Sequence, residues 1–355
     1  MMYGISIFLG ESLTEQTEAY IDEMNRLGIK GIFTSLHIPE DDATLYAARL
    51  RQLGQIAHQR KMKLMVDISG EALMRAGFAF DDLDSILAIG VTGLRMDYAI
   101  SNKKIAEASQ KIDIGLNAST ITPEDVVELK KYGADFNRFE AWHNYYPRPE
   151  TGLSSIFFAT KNSWLKEAGF KIFAFVPGNG VLRGPIYQGL PTLEKHRYLN
   201  PLACMLDLES NFGVDGIYIG DPTISTRSRN QISTYLKTNT FVLEVNNTGS
   251  KYFNLILGDH ANRQDDARDV IRSAEARFKK IDIISPEKAL ERHLGSVTID
   301  NEKYGRYMGE IQILKNNLPC DDKVNIAAKV VAEDLSLIDY IKPGDKFKLI
   351  EKGML

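Results

Sequence analysis

Five times within the first 215 residues a helix-like run stops at a glycine, and a short apolar strand begins a few residues later. The junctions are Leu27-Gly28, Ile89-Gly90, Tyr132-Gly133, Ala168-Gly169 and Phe212-Gly213, leading into strands such as Gly31-Ile32-Phe33 and Gly216-Ile217-Tyr218-Ile219. A helix ends most easily in a left-handed residue, a conformation that costs little without a Cβ. The pattern therefore counts βα units. With the units that stop by other means, strands are expected near 3–9, 30–35, 63–68, 91–97, 112–117, 135–140, 170–176 and 214–220. Eight strands, each followed by a helix, predict an α/β chain with a (β/α)8 TIM barrel, whose chemistry belongs at the C-terminal strand ends.

Such a barrel needs roughly 250 residues, and the 355 present leave room for a second small domain. Past residue 237 the pattern turns to short strands, including Thr240-Phe241-Val242-Leu243-Glu244-Val245, Tyr252-Phe253-Asn254-Leu255-Ile256-Leu257 and Asp345-Lys346-Phe347-Lys348-Leu349-Ile350, with one helix expected from Gln264 to Lys280. The expected division is a catalytic barrel over 1–237 and a small β-rich barrel or sandwich over 238–355. Helix starts agree with the unit count. Ser12 followed by Glu15 reads as a capping box, and Thr122-Pro123-Glu124-Asp125 combines a cap, a proline and two acids in one first turn.

A formal net charge of -4 gives no basic footprint for nucleic acid or an acidic membrane surface, which leaves a small molecule as the partner. The N-terminus lacks a cationic region followed by a long apolar core, and no window approaches the ~18 apolar residues of a membrane span, so a cytoplasmic protein is expected. The two cysteines, Cys204 and Cys320, have no metal-binding or redox spacing around them. Histidine is sparse too, and His37 and His143 stand alone, so neither metal nor cofactor is expected.

Residues i and i+2 share one face of a strand, so Arg95 and Asp97 pair near the end of the fourth strand, as do Arg138 and Glu140 near the end of the sixth. Even-numbered strands feed the same layers of a barrel, and the two pairs are expected to face each other across its mouth. Two carboxyl groups in one cleft suit acid/base work; the alternative is an ion-pair layer closing the core. Glu11, Asp67, Asn117 and Asp221 are further polar strand-end residues. No acid ends the seventh strand, so the commonest barrel-glycosidase plan cannot be filled, and a different carboxylate pairing or an N-acetyl nucleophile would be required. Gly178, Gly220, Arg148 and Arg183 lie in loops where barrels bind phosphate, and Trp142, Tyr145, Tyr146 and Tyr187 offer faces for a sugar ring.

Two segments carry a family resemblance, Trp142-His143-Asn144-Tyr145-Tyr146-Pro147-Arg148-Pro149-Glu150-Thr151-Gly152-Leu153 and Gly184-Pro185-Ile186-Tyr187-Gln188-Gly189-Leu190-Pro191-Thr192-Leu193-Glu194-Lys195-His196-Arg197. With Phe8-Leu9-Gly10 at the start, the chain resembles the 6-phospho-N-acetylmuramidases over its whole length. The resemblance implies a cyclophilin-like β-barrel at the C-terminus. It also implies a cytoplasmic exo-hydrolase of cell-wall recycling that splits N-acetylmuramic acid 6-phosphate from N-acetylglucosamine. Combined with the strand-end reading, the expected acid/base carboxylates are Asp97 and Glu140, with Asp221 or Asp67 as substitutes. Arg95 and Arg138 would orient them or bind the lactyl carboxylate, helped by Asn117, Glu11, Tyr145, Tyr146 and Tyr187. Arg148, Arg183, Gly178 and Gly220 would hold the 6-phosphate.

The alternatives are a phosphosugar aldolase or isomerase and a non-catalytic sugar-phosphate binding protein. A Schiff-base enzyme needs an inner lysine at the mouth, whereas Lys30, Lys63 and Lys171 stand at strand beginnings. The second domain could cover part of the mouth or form a homodimer contact.

Overall fold

The computed structural model describes residues 1–36, 43–68, 73–74, 77–80, 82–96, 100–276 and 282–355, with only the backbone at 43 and 44. Two compact units divide between Ser225 and Thr226.

In the first unit, β1 (Met2–Ser6), β2 (Gly31–Ser35), β3 (Lys63–Ile68), β4 (Gly93–Met96), β5 (Asp113–Asn117), β6 (Phe139–Trp142), β7 (Lys171–Val176) and β8 (Gly216–Ile219) form a closed barrel in sequence order. All pairs are parallel, and β8 returns to β1 with Met2 opposite Gly216. The intervening helices are α1 (Glu15–Arg26), α2 (Ala43–Gln59), α3 (Leu83–Ala88), α4 (Asn102–Ala108), α5 (Pro123–Lys131), α6 (Ser155–Glu167) and α7 (Pro201–Phe212). The five junction glycines all take positive φ, from 53° at Gly213 to 101° at Gly169. Helix α5 starts as its sequence predicts, with Thr122 and Asp125 capping each other. Helix α1 is capped two residues later than expected, by Thr14 and Thr17, because Glu15 is already its first helical residue.

The barrel interior alternates large and absent side chains. Phe33, Met65, Trp142, Phe173, Phe175 and Tyr218 fill it, and Trp142 stacks on Phe173 with ring centroids 4.6 Å apart. Glycines open the space these rings occupy. A Cβ on Gly4 or Gly31 would lie 2.0 Å from Tyr218, and one on Gly216 would lie 2.2 Å from Phe173. With the centre packed this tightly, polar chemistry is confined to the two ends.

Strand six departs from expectation. Phe136–Arg138 is a 3-10 turn in which Asp135 Oδ1 accepts the Asn137 N–H (3.1 Å), and β6 begins only at Phe139. The alternating sequence Phe136, Arg138, Glu140 reads as strand, but the local cap at Asp135 wins.

The second unit starts with α8 (Thr226–Thr238) and contains β9 (Thr240–Asn247), the short helix α9 (Phe253–Ile256), β10 (Gly258–Ala261), β11 (Val270–Arg272), β12 (Ser296–Asp300), β13 (Ile311–Leu314), β14 (Val324–Val330) and β15 (Lys346–Glu351). These strands make a nearly closed seven-stranded sheet in the order β10-β15-β9-β14-β12-β13-β11. Buried polar groups tie α8 to it. Arg227 Nε donates to Glu244 Oε2 (2.5 Å), its Nη2 pairs with Asp334, and Gln231 Nε2 donates to Asp334 Oδ1 (2.8 Å). Two elements differ from the sequence reading. The stretch expected as a helix from Gln264 contains β11, which pairs with β13; residues 277–280 of that stretch lie outside the described residues. Phe253–Ile256, expected as strand, is helical.

Candidate active site at the barrel mouth

Asp67 is the fifth residue of β3 and Met65 the third, so Asp67 points inward one layer above the packed centre. Its neighbours complete a row of four side chains. Ser35 Oγ, at the end of β2, donates to Asp67 Oδ2 (2.9 Å). Arg95 on β4 donates through Nη1 to Asp67 Oδ1 (2.6 Å) and through Nη2 to Asn144 Oδ1 (2.5 Å). The guanidinium thus holds a carboxylate on one arm and a neutral amide on the other. The side chains of Arg95 and Asp67 are only 5% and 12% exposed, so removing one partner would strand the other at a cost of about 3–5 kcal/mol.

Tyr145 and Arg183 extend the row. Tyr145 packs edge-on against Phe175, with ring centroids 5.2 Å apart, and Arg183 Nη1 donates to its hydroxyl (2.7 Å). Burial pushes the Tyr145 phenol above its ordinary range, and the charges of Arg183, Asp67 and Arg95 all act on it, which places these groups around one point. The Arg183 guanidinium also lies 4.0 Å from the ring centroid of Phe8. Among the described residues its guanidinium forms no ion pair; its side-chain contacts are π faces and a phenol, and the buried Asp221 carboxylate acts on it from a greater distance.

The two long loops that carry Asn144, Tyr145 and Arg183 are clasped together. The buried Arg197 guanidinium binds Glu194 bidentately (2.7 and 2.6 Å) and also donates to the carbonyls of Tyr146 (2.9 Å), Gly189 (3.1 Å) and Arg148 (3.2 Å). Glu194 in turn accepts the N–H groups of Glu150 (2.8 Å) and Gly152 (2.7 Å). The hydrogen bonds from Arg197 pull the Glu194 carboxyl down to about 2. Thr192 Oγ1 donates to the Asn144 carbonyl (2.9 Å), which fixes the loop beside Arg95.

Of the residues expected in the site, the structure brings together Asp67, Arg95, Tyr145 and Arg183. Asp97 and His37 lie outside the described residues. Glu140 is moved to the other end of the barrel. It is the second residue of β6, in register with Lys171, the first of β7, and the charges acting on it come from Lys63, Asp113 and Lys171, which begin β3, β5 and β7. Trp142, fully buried two residues nearer the mouth, donates Nε1 to Glu140 Oε2 (2.8 Å). Arg138 precedes β6 and turns outward to Asp113 (3.8 Å) and Asp135 (3.7 Å). The expected pairing of these two with Arg95 across the mouth is therefore overturned.

Asp221 is fully buried and accepts the backbone N–H groups of Gly178 (2.8 Å), Leu190 (2.9 Å) and Arg183 (3.2 Å), so it staples the loop after β7. Burial pushes its carboxyl up against the opposing pull of those three donors. Gly178 spends its N–H on Asp221, and Gly220 donates its own to Val176 O (2.9 Å), so neither amide is left for a phosphate. Both are glycine because a Cβ would strike Thr223 O at 2.5 Å or Leu190 O at 2.3 Å.

The Asn117 side chain accepts the Ser119 N–H (3.0 Å) and turns the chain after β5. Glu11 is exposed in the loop after β1, whose Leu9 and Gly10 carbonyls are held by Arg49. Tyr146 contributes its backbone to the clasp, Tyr187 is exposed and packs beneath Gly184, and the Arg148 side chain is exposed. His143 is fully buried against Phe158 and bonded to Asn162 (2.7 Å); burial pushes it down to about 4, which leaves it neutral. Lys63 and Lys171 begin their strands and Lys30 precedes β2, the wrong end for a Schiff base. No helix among the described residues is long and apolar enough to cross a membrane.

Sequence reasoning missed Asn144, Ser35 and the Arg197 clasp. Asn144 could have been found, because Glu140, Trp142 and Asn144 follow the i, i+2 rule on one face.

The 6-phospho-N-acetylmuramidase N-terminal model matches residues 3–234 and its C-terminal model residues 240–350. The chain belongs to the 6-phospho-N-acetylmuramidase family. A solved structure of a conserved Enterococcus faecalis protein of unknown function is 56% identical, with a TM-score of 0.94 over 99% of this chain and 97% of that one. An uncharacterized B. cereus protein is 25% identical, with a TM-score of 0.72 over 99% of both chains. Among curated proteins nothing matches. For this 6-phospho-N-acetylmuramidase family member, the activity must therefore be argued from the mouth itself.

Proposed function

We propose that the protein is a cytoplasmic glycoside hydrolase of cell-wall recycling, cleaving N-acetylmuramic acid 6-phosphate from N-acetylglucosamine. The observation that carries this reading is the presence, at one barrel mouth, of an inward carboxylate, Asp67, and a cation, Arg183, that forms no ion pair among the described residues. Glycoside cleavage passes through an oxocarbenium-like state, which a fixed negative charge stabilises. Asp67, held by Ser35 and Arg95, is suited to that role or to that of base. Asp97, which follows directly on the last residue of β4, is assigned as the second carboxyl, donating a proton to the leaving oxygen. Arg183, pinned over Phe8, takes the 6-phosphate, with Arg148 contributing from outside. Tyr145 is kept as a neutral phenol by burial, so its O–H can donate to a sugar oxygen while its oxygen accepts from Arg183.

The test is release of N-acetylglucosamine from the muramyl disaccharide with and without its 6-phosphate, in the presence of a chelator. Cleavage of the phosphorylated form alone is expected. If neither form is cleaved by folded protein, the hydrolase reading falls.

A further inference from the structure

The geometry points to Asn144 as the residue that recognises the acetamido group of the bound sugar, an inference that rests on the phosphosugar reading above. Its orientation is dictated by its neighbour. Arg95 has only donors, so the side-chain oxygen of Asn144 must face the guanidinium, as the 2.5 Å contact with Nη2 shows. The Nδ2 amide is thereby turned away from Arg95. Nδ2 has no hydrogen-bond partner among the described residues, and Asn144 is half-buried, so two donors remain for a ligand. The backbone is held as firmly as the side chain, through Thr192 Oγ1 to the Asn144 carbonyl (2.9 Å). The amide is thus fixed before any sugar arrives.

The position sets the chemistry. Asp67 and Asn144 sit on the two arms of one guanidinium, so an oxygen accepting from Nδ2 is placed beside the neutral Asp67–Arg95 pair. Carboxylate, phosphate and acetamide all offer acceptors. The Arg95 charge is already matched by Asp67, so an anion at Nδ2 meets no net positive charge there, while the neutral carbonyl oxygen of an acetamide needs none. Arg183, on the other side of Tyr145, is the place for the anion. The mouth therefore sorts its ligand into a neutral acceptor at Asn144 and a negative group at Arg183.

The experiment compares N-acetylglucosamine 6-phosphate with glucose 6-phosphate, two probes with the same phosphate, by calorimetry on the full chain. The intact protein is expected to prefer the acetamido sugar by about tenfold, the worth of one hydrogen bond. Asn144→Asp keeps an acceptor for Arg95 and deletes the donor; it should bring the two affinities together. Asn144→Ala, should the aspartate variant fold poorly, should do the same. A preference that survives in a folded variant overturns the inference while leaving the hydrolase reading intact. An intact protein that cleaves the disaccharide but shows no preference likewise overturns it alone. If the intact protein binds neither probe and cleaves nothing, both readings fall together.

Discussion

Asp67 and Glu140 are carboxylates on inward faces of the same barrel, and they live in opposite surroundings. Asp67 stands at the mouth, ion-paired with Arg95 and hydrogen-bonded by Ser35, with an edge open to solvent. Glu140 stands at the base beneath Trp142 and is 5% exposed, and burial pushes it up to about 7. What separates them is height along the strand. Near the C-terminal end the neighbours are loop residues that can be recruited to chemistry, whereas near the N-terminal end the neighbours are strand-opening charges that only hold the barrel shut.

Replacement of the two carboxyls should break the comparison if it is wrong. Asp67→Asn keeps an acceptor for Arg95 and removes the charge, and a loss of turnover on the order of a thousandfold is expected in the disaccharide assay. Glu140→Gln is expected to leave turnover within about threefold. Its effect appears in stability instead. Glu140 has a folded value near 7, above its ordinary 4.5, so the native state favours the proton. Its contribution is complete below pH 4.5 and is lost as pH rises through 7, by about 3 kcal/mol at roughly 1.4 kcal/mol per unit. The glutamine variant should therefore gain in melting temperature over the parent as pH is raised from 5 to 8. An equal difference at both ends would remove Glu140 from the account.

Smaller changes sharpen the picture at the mouth. Arg183→Gln should raise KM for the phosphorylated disaccharide by roughly 10- to 100-fold, the value of one charge-assisted contact, with kcat less affected. Arg148→Ala, at an exposed side chain, should change KM by less than about threefold. If Arg148 had the larger effect, the anion would sit outside the Phe8–Tyr145 seat.

The glycine junctions made the barrel legible, because a positive φ before each strand is a local requirement that few other residues meet. Strand three was legible to the residue, and with it the inward face of Asp67. The site was less so. Strand six was read too early because Phe136, Arg138 and Glu140 alternate as a strand would, and the side-chain cap from Asp135 that turns Phe136–Arg138 is a competition invisible to periodicity. That shift carried Arg138 and Glu140 from the base to the mouth and hid Asn144, a neutral residue in a loop. Asp221 and the two loop glycines were recognised as special, but their reason is close backbone approach, which depends on the loop's path through space.

The Arg197 clasp has a consequence for how this mouth can change. One guanidinium satisfies carbonyls from the loop after β6 and from the loop after β7 together with Glu194. Neither loop is thus an independent module. Transplanting the Arg183 segment alone onto a related barrel would leave buried oxygens of the other segment without donors, so the two must be inherited, shortened or exchanged as a single cassette.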